Sequence, residues 1–307
     1  MNKKFKTLYF ILYAILVFIP QSCFPTDPPK EHTNFSDNNK SYILAVGEQA
    51  KNRLQLSEST YGSYSKILFK QLGLNKGNKV LIIGCGTGEN LEWMSKKVGN
   101  QGQIWCTDIS NQQLEVAKKT ATHLPNVYFK QVDVTNIEQA NLSQKYDFVT
   151  SRFVLVHLNG GTTTNIQAIK NMASLVKPGG HLVCEEHDTG FIFSYPENNS
   201  VNTSKQLLKK ISEQKNVDYE YGRKLFHSFY QAGLKAARQQ MNIPTFTHGS
   251  EKTLLALSLN EGRANYVNGK LITNEDMELL LTDLNQFNQN GQTLFAVGGF
   301  FQVWIKM

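Results

Sequence analysis

Eleven residues, Val80-Leu-Ile-Ile-Gly-Cys-Gly-Thr-Gly-Glu-Asn90, restrict the fold of this chain more than any others. Val80 to Ile83 is a short, apolar, β-branched run of the kind buried in a parallel sheet. Gly84, Gly86 and Gly88 follow at alternate positions, and a helical pattern opens at Glu89. Glycine tolerates positive φ and, lacking Cβ, lets a ligand approach the backbone. A strand, a glycine-rich turn and a helix N-terminus together describe a nucleotide-type site at the carboxyl edge of a parallel sheet. The spacing argues against two common versions of it. A dinucleotide fingerprint needs glycine at the sixth position, where Glu89 stands, and a P-loop needs Gly-Lys-Ser/Thr, which does not follow.

The next two strand ends carry acids. Residues 104–107 read as a second strand that ends at Asp108, 20 residues after Gly88. A carboxylate there can accept from both ribose hydroxyls. A helix over 111–123 follows, with Leu114 and Ala117 on one face, and a third strand over 127–132 ends at Asp133-Val134. Either aspartate alone also reads as a helix N-cap. A fourth strand, 146–151, leads into Arg152-Phe-Val-Leu-Val-His157. A helix over 162–175 is stopped by Val176-Lys-Pro-Gly-Gly180, and a fifth strand, 181–185, delivers Glu186, His187 and Asp188. Beyond it the pattern gives helices near 200–214, 223–232, 253–267 and 274–287. Two strands are expected near 237–243 and 294–306, and Gly298-Gly299 marks a bulge or bend in the second.

This order resembles the class I S-adenosylmethionine-dependent methyltransferases, in the glycine motif, the two strand-end acids and the Lys-Pro-Gly-Gly turn. The resemblance runs from about Gly47 to the C-terminus. A small-molecule branch is echoed in Gly47-Glu48, Arg53-Leu54, Gly222-Arg223, Ala232-Gly233-Leu234 and Leu271-Ile-Thr273. It implies a Rossmann-like α/β fold: a seven-stranded sheet, mostly parallel with an antiparallel last strand, and helices on both faces. It implies S-adenosylmethionine as cofactor, held by Gly84, Gly86, Gly88, Asp108, Ile109, Asp133, Val134 and Arg152. Asp133 would take the adenine amino group and the Val134 N–H would meet the ring. The implied activity is transfer of a methyl group to a small-molecule acceptor by in-line displacement, with a base needed only where the acceptor must lose a proton. His157 and Glu186 are the catalytic candidates, with His187 and Glu185 beside them. His157 reads equally as a structural residue of its loop, and Glu186 as a solvated charge or lid partner. Glu185-Glu-His-Asp188 does not make a metal site, because neighbours in a strand point to opposite faces. A nicotinamide-dependent oxidoreductase, a cofactor-binding module without turnover and an RNA or protein methyltransferase stay open as alternatives.

Composition fits one large α/β domain: 307 residues, 40% hydrophobic and 11% aromatic. Net charge is +7, of which Lys3, Lys4 and Lys6 supply three, and the remaining excess is spread rather than gathered in a stripe. No nucleic-acid partner is therefore expected. The Asn/Asp-Pro-Pro-Tyr signature of base-amino methyltransferases is also missing after strand four, where Ser151-Arg152-Phe153 stands. Residues 1–23 are a different segment: three lysines, an uncharged apolar run over 7–19, then Pro20-Gln-Ser-Cys23. That pattern is a signal peptide or membrane anchor, and Ser22-Cys23 resembles a lipoprotein cleavage site with Cys23 the lipidated residue. Residues 24–40 read as a tether and 41–307 as the catalytic domain. Membrane association or export through the N-terminal segment is expected, and a cytoplasmic location if the segment is not used. Cys85, Cys106 and Cys184 are expected as buried free thiols.

Overall fold

Strand β1, Lys79–Ile83, sends alternate side chains into two separate cores. Val80 and Ile82 pack with Leu91, Met94 and Val98 of α2 (Leu91–Val98) and with Leu114 and Ala117 of α3 (Asn111–Thr120). Leu81 and Ile83 face the other way, into a larger core with Ile169 and Met172 of α4 (Gly161–Ser174). A strand buried on both faces must be apolar at consecutive positions, which is why the run Val-Leu-Ile-Ile is uninterrupted. The computed structural model describes residues 42–142 and 144–307. The signal, anchor and tether readings for residues 1–40, Cys23 included, lie outside them.

The remaining elements complete an α/β sandwich. In chain order they are α1 (Lys51–Gln71), β2 (Gln103–Asp108), β3 (Val127–Gln131), β4 (Tyr146–Arg152), β5 (Val176–Tyr195), α5 (Asn199–Lys215) and α6 (Leu225–Gln231). They end with β6 (Arg238–Asn242), β7 (Thr245–Phe246), α7 (Leu254–Asn268), α8 (Asn274–Gln289) and β8 (Leu294–Lys306). The sheet order is β3-β2-β1-β4-β5-β8-β6, with β7 also paired to β8. Strands β1 to β5 are parallel and β8 is antiparallel to its neighbours. The Rossmann-like fold is as expected, but the strands number eight rather than seven. The 13-residue β8 outruns the five-residue β6, and Pro244, with no N–H for a ladder, separates β6 from the extra β7.

Two further expectations need correction. Lys177-Pro-Gly-Gly180 does not sit between helix and strand: α4 ends at Ser174, and β5 already begins at Val176, which pairs with Tyr146. Cys85 and Cys106 are not free thiols but a disulfide, Cα–Cα 5.6 Å, whereas Cys184 is free and buried. The pairing comes from sheet register, which spacing alone does not reveal. Cys106 lies opposite Ile82, and the turn at Gly84 brings Cys85 back so that its N–H donates to the Thr107 carbonyl at 2.9 Å. The bend at Gly298-Gly299 is present. Register between β5 and β8 jumps from Asp188–Gly299 to Ile192–Val297, and Gly298 takes φ +122°.

Candidate active site

Strand order reverses between β1 and β4, so the loops leaving these two neighbours turn away from each other and leave a crevice. A cavity of ≈ 390 Å³ occupies it. Its wall collects Gly84 and Gly86 after β1, Asp108 and Ile109 after β2, and Asp133 and Val134 after β3. Arg152 and His157 come from the end of β4 and the loop that follows it. Eight of the ten residues named from the sequence therefore line one cavity. The two that do not are Gly88 and Glu186.

Glycine at 84 is dictated by crowding. Its φ is +70°, and a Cβ there would run into the Val154 side chain, which covers the loop from β4. Gly88, φ +87°, serves packing instead: a Cβ would stand 2.7 Å from Leu91 Cδ1 and 3.3 Å from the Ala117 methyl, so its absence lets α2 and α3 close on the loop.

Asp108 is only 9% exposed and holds two segments at once. Its Oδ2 accepts from the Gly86 N–H at 3.0 Å and its Oδ1 from the Ser110 N–H at 2.9 Å. Burial nevertheless raises its carboxyl to about 6, more than these backbone hydrogen bonds lower it. Each oxygen keeps a second lone pair, so the residue can brace the glycine loop and still receive a ligand hydroxyl. Beside it Ile109 is 42% exposed at the cavity wall, an apolar surface suited to a flat ring. Asp133 caps the short 3-10 segment Val134–Ala140, its Oδ1 accepting from Thr135 N at 2.8 Å and Thr135 Oγ1 at 2.7 Å. The capping reading holds for Asp133 but not for Asp108: the cap of α3 is Ser110, whose Oγ accepts from the Gln113 N–H at 3.4 Å.

Arg152 is committed largely to the protein. Its Nη2 donates to Glu58 Oε2 at 2.6 Å and its Nη1 to Ser65 Oγ at 3.3 Å. Ser65 in turn donates to the buried Glu185, which also accepts from Gln302. His157 lines the cavity with its ring between Tyr42, 4.7 Å between centroids, and Tyr219, 5.7 Å. Desolvation, with His187 and Arg53 nearby, depresses its pKa to about 3, so its imidazole is neutral at pH 7.

Glu186 is fully buried and away from the cavity wall. Its Oε1 accepts from the N–H groups of Val154 at 3.1 Å and Leu155 at 2.8 Å, while its Oε2 has no partner among the described residues. Desolvation raises its carboxyl to about 8. Its geometry is that of a clamp on the β4 loop. That loop needs one, because Phe153 sits at φ +58°, a conformation costing about 1–3 kcal/mol for a bulky residue. The Phe153 N–H donates to the Glu185 carbonyl at 2.9 Å, and its ring packs on Tyr61, Phe300 and His187. The acids of the Glu185–Asp188 run thus serve three different partners. Asp188 takes a bidentate fork from Arg223, at 2.5 and 2.6 Å. Among the described residues no group of three or more His, Cys, Asp or Glu is placed to hold a metal ion.

Sequence reasoning assigned no role to Tyr42, Arg53, Phe153 or Val154. The two loop residues gave no signal beyond following a strand. Arg53 was visible only as part of a helix motif, since its partner Glu261 lies 208 residues later.

Residues 80–180 match the model of a family described as a methyltransferase domain. Among curated proteins, a demethylmenaquinone methyltransferase of Staphylococcus aureus is 33% identical over 123 residues, which is 40% of this chain and 48% of the relative. The chain therefore spans about half the length of the curated relatives it matches. Among solved structures, a cyclopropane-fatty-acyl-phospholipid synthase-like protein from Lactobacillus casei superposes with a TM-score of 0.53 at 15% identity. The overlap is 87% of this chain and 97% of that one, a likeness of fold.

Proposed function

We propose that this chain is an S-adenosylmethionine-dependent methyltransferase of class I that methylates a small-molecule acceptor. One observation carries the reading: the cavity at the strand-order reversal gathers the glycine loop, Asp108 and Asp133 on a single wall. The residues fit such a cofactor. Asp108 and Asp133 line the cavity and offer acceptors suited to a nucleoside's hydroxyls and amino group, and Ile109 offers an apolar face. The methyltransferase-domain match over 80–180 and the named activity of the partial relative support it. Bound there, S-adenosylmethionine supplies a methyl group already activated on a sulfonium. The protein's part is to orient the acceptor and exclude water, and the Phe153-Val154 loop held by Glu186 serves that end. A His157 imidazole with a pKa near 3 is neutral at pH 7, with one ring N–H to donate and one nitrogen to accept. It positions an acceptor better than it deprotonates one. The reading thus favours an acceptor that arrives as a nucleophile in its own right.

Label transfer from methyl-labelled S-adenosylmethionine to a panel of small acceptors, with transfer RNA and bulk protein as controls, tests this. Label appearing in a small molecule supports the proposal, and label confined to RNA or protein refutes the acceptor class. We also propose membrane association through residues 1–23, resting on the three lysines and the apolar run alone. Among the described residues no helix is long and apolar enough to cross a membrane. Fractionation of the full chain and of its Cys23→Ser variant tests this. Recovery of the full chain only in the soluble fraction would refute it, and release by Cys23→Ser would identify a lipid anchor.

A further inference from the structure

The Cys85–Cys106 bond lies in the wall of the crevice itself. Cys85 stands between Gly84 and Gly86, and all three line the cavity. Cys106 stands two residues before Asp108, which lines it too. Cys85 is held by its backbone and its sulfur together. Its N–H donates to the Thr107 carbonyl at 2.9 Å, its carbonyl accepts from the Gly88 N–H at 3.1 Å, and its Sγ is bonded to β2. A bond serving stability alone could join any two elements. This one fixes the glycine loop against Asp108, whose Oδ2 accepts from the Gly86 N–H at 3.0 Å.

Opening the bond must move that loop. Bonded sulfurs sit about 2 Å apart, whereas unbonded heavy atoms need about 3.5–4 Å. Both cysteines belong to one apolar core with Leu91, Leu114 and Ala117, and a close-packed core does not absorb the extra separation in place. Cys106 is pinned, because β2 is paired on both sides and Cys106 lies between Ile82 and Phe129. The loop is the part outside the ladder. Gly84 closes on Val154 and Gly86 on Leu54, so a shift at Cys85 is passed along the loop to the residues that line the cavity. A misplacement of about 1 Å in a segment that orients a ligand is enough to cost about tenfold to a hundredfold.

We propose that Cys85–Cys106 is a thiol–disulfide site that sets the crevice's affinity for its cofactor: a small dithiol opens it from the cavity, and the opened loop binds more weakly. The inference rests on the methyltransferase reading. A thiolate of the dithiol attacks the Sγ of Cys85, which keeps 8% of its surface exposed while Cys106 keeps none. The bond between the two Sγ atoms breaks, and Cys106 leaves with the electron pair. The second thiolate of the dithiol then displaces Cys85 and closes the reductant into its own disulfide. Two electrons pass to the protein, and its two sulfurs take up the two protons of the dithiol. Because the cofactor prefers the bonded form, linkage requires that it hold the bond closed by the same factor.

Calorimetry on the full chain with S-adenosylhomocysteine, before and after treatment with dithiothreitol, tests this. Alkylation and mass spectrometry assign the state of Cys85 and Cys106, and circular dichroism reports the fold. The bonded protein should bind about tenfold to a hundredfold more tightly than the reduced one, with the fold retained. In buffers of reduced and oxidised dithiothreitol, S-adenosylhomocysteine saturating both forms should raise the ratio needed for half-reduction by that same factor. Cys85→Ala/Cys106→Ala should bind with an affinity that dithiothreitol does not change, and a response there would assign the effect to another group and overturn the inference. Equal affinity in the two wild-type states overturns it without any variant. So does unfolding on reduction, which would make the bond a staple of the whole domain. If the bonded protein gives no heat with S-adenosylhomocysteine, it is the methyltransferase reading that fails, and this inference falls with it.

Discussion

Two corners of this molecule bury charge in opposite ways. At the junction of α7, α8 and β8, Lys252 is completely buried, and its ammonium has more acceptors than protons. It donates to the carbonyls of Thr247, Phe287, Asn290 and Thr293 at 2.9–3.4 Å and to Thr293 Oγ1 at 2.7 Å, with the Phe287 ring 4.9 Å away. Asp108, at the end of β2, and Glu186, in the middle of β5, are also buried, and burial raises both carboxyls above their ordinary range. Glu186 leaves one oxygen without a partner, and the backbone it clamps is strained at Phe153. The saturated corner is what stability alone produces. In the under-satisfied corner Asp108 keeps spare acceptor capacity on the cavity wall, which is the expected mark of a site kept for a ligand.

The largest effect should come from the saturated corner. Lys252→Met removes a buried donor shared by four carbonyls and should cost about 3 kcal/mol or more of folding stability. Chemical denaturation would report this as a lowered midpoint, and the folded fraction should bind cofactor as before. A stable variant would mean that the carbonyls find water, and the contrast between the corners would fail.

Asp108→Ala acts on the other side of the comparison. It should weaken S-adenosylhomocysteine binding by about 2–3 kcal/mol, read by calorimetry. Stability should fall by less, because only the Gly86 and Ser110 amides lose an acceptor. An unchanged dissociation constant would reduce Asp108 to a brace for the loop.

The smallest effect is a pH dependence. Glu186 has its folded pKa raised to about 8, against 4.5 for an ordinary glutamate, so between these values the folded state holds a proton that the unfolded state releases. Its contribution to stability is therefore retained at low pH and declines as pH rises from about 4.5 to about 8. Glu186→Gln mimics the protonated form and should flatten that decline, so that its stability relative to wild type rises between pH 5 and pH 8. Parallel stability–pH curves for the two proteins would show that Glu186 is ionised and matched where it lies.

Legibility in the sequence followed the range of the interaction. The strand-turn-helix at Val80–Asn90 could be read locally because a doubly buried strand must be apolar at every position and a tight loop must use glycine. The strand-end acids were visible for the same reason, each lying directly after a strand. The role of Glu186 was not, because it depends on the neighbouring β4 loop lying within hydrogen-bond reach across the sheet, 31 residues away in sequence. The Cys85–Cys106 bond and the Arg53–Glu261 pair escaped for the same cause: sheet register made one, and a helix 208 residues distant made the other. The extra strand β7 has two residues, too few to show a period.

We read the crevice between the β1 and β4 loops as an S-adenosylmethionine site. Titration of the full chain with S-adenosylhomocysteine, with NAD as the comparison ligand, is the direct test. The expected result is saturable heat with a dissociation constant in the micromolar range, about −8 kcal/mol, and no response to NAD. No heat with S-adenosylhomocysteine together with clear binding of NAD would contradict it.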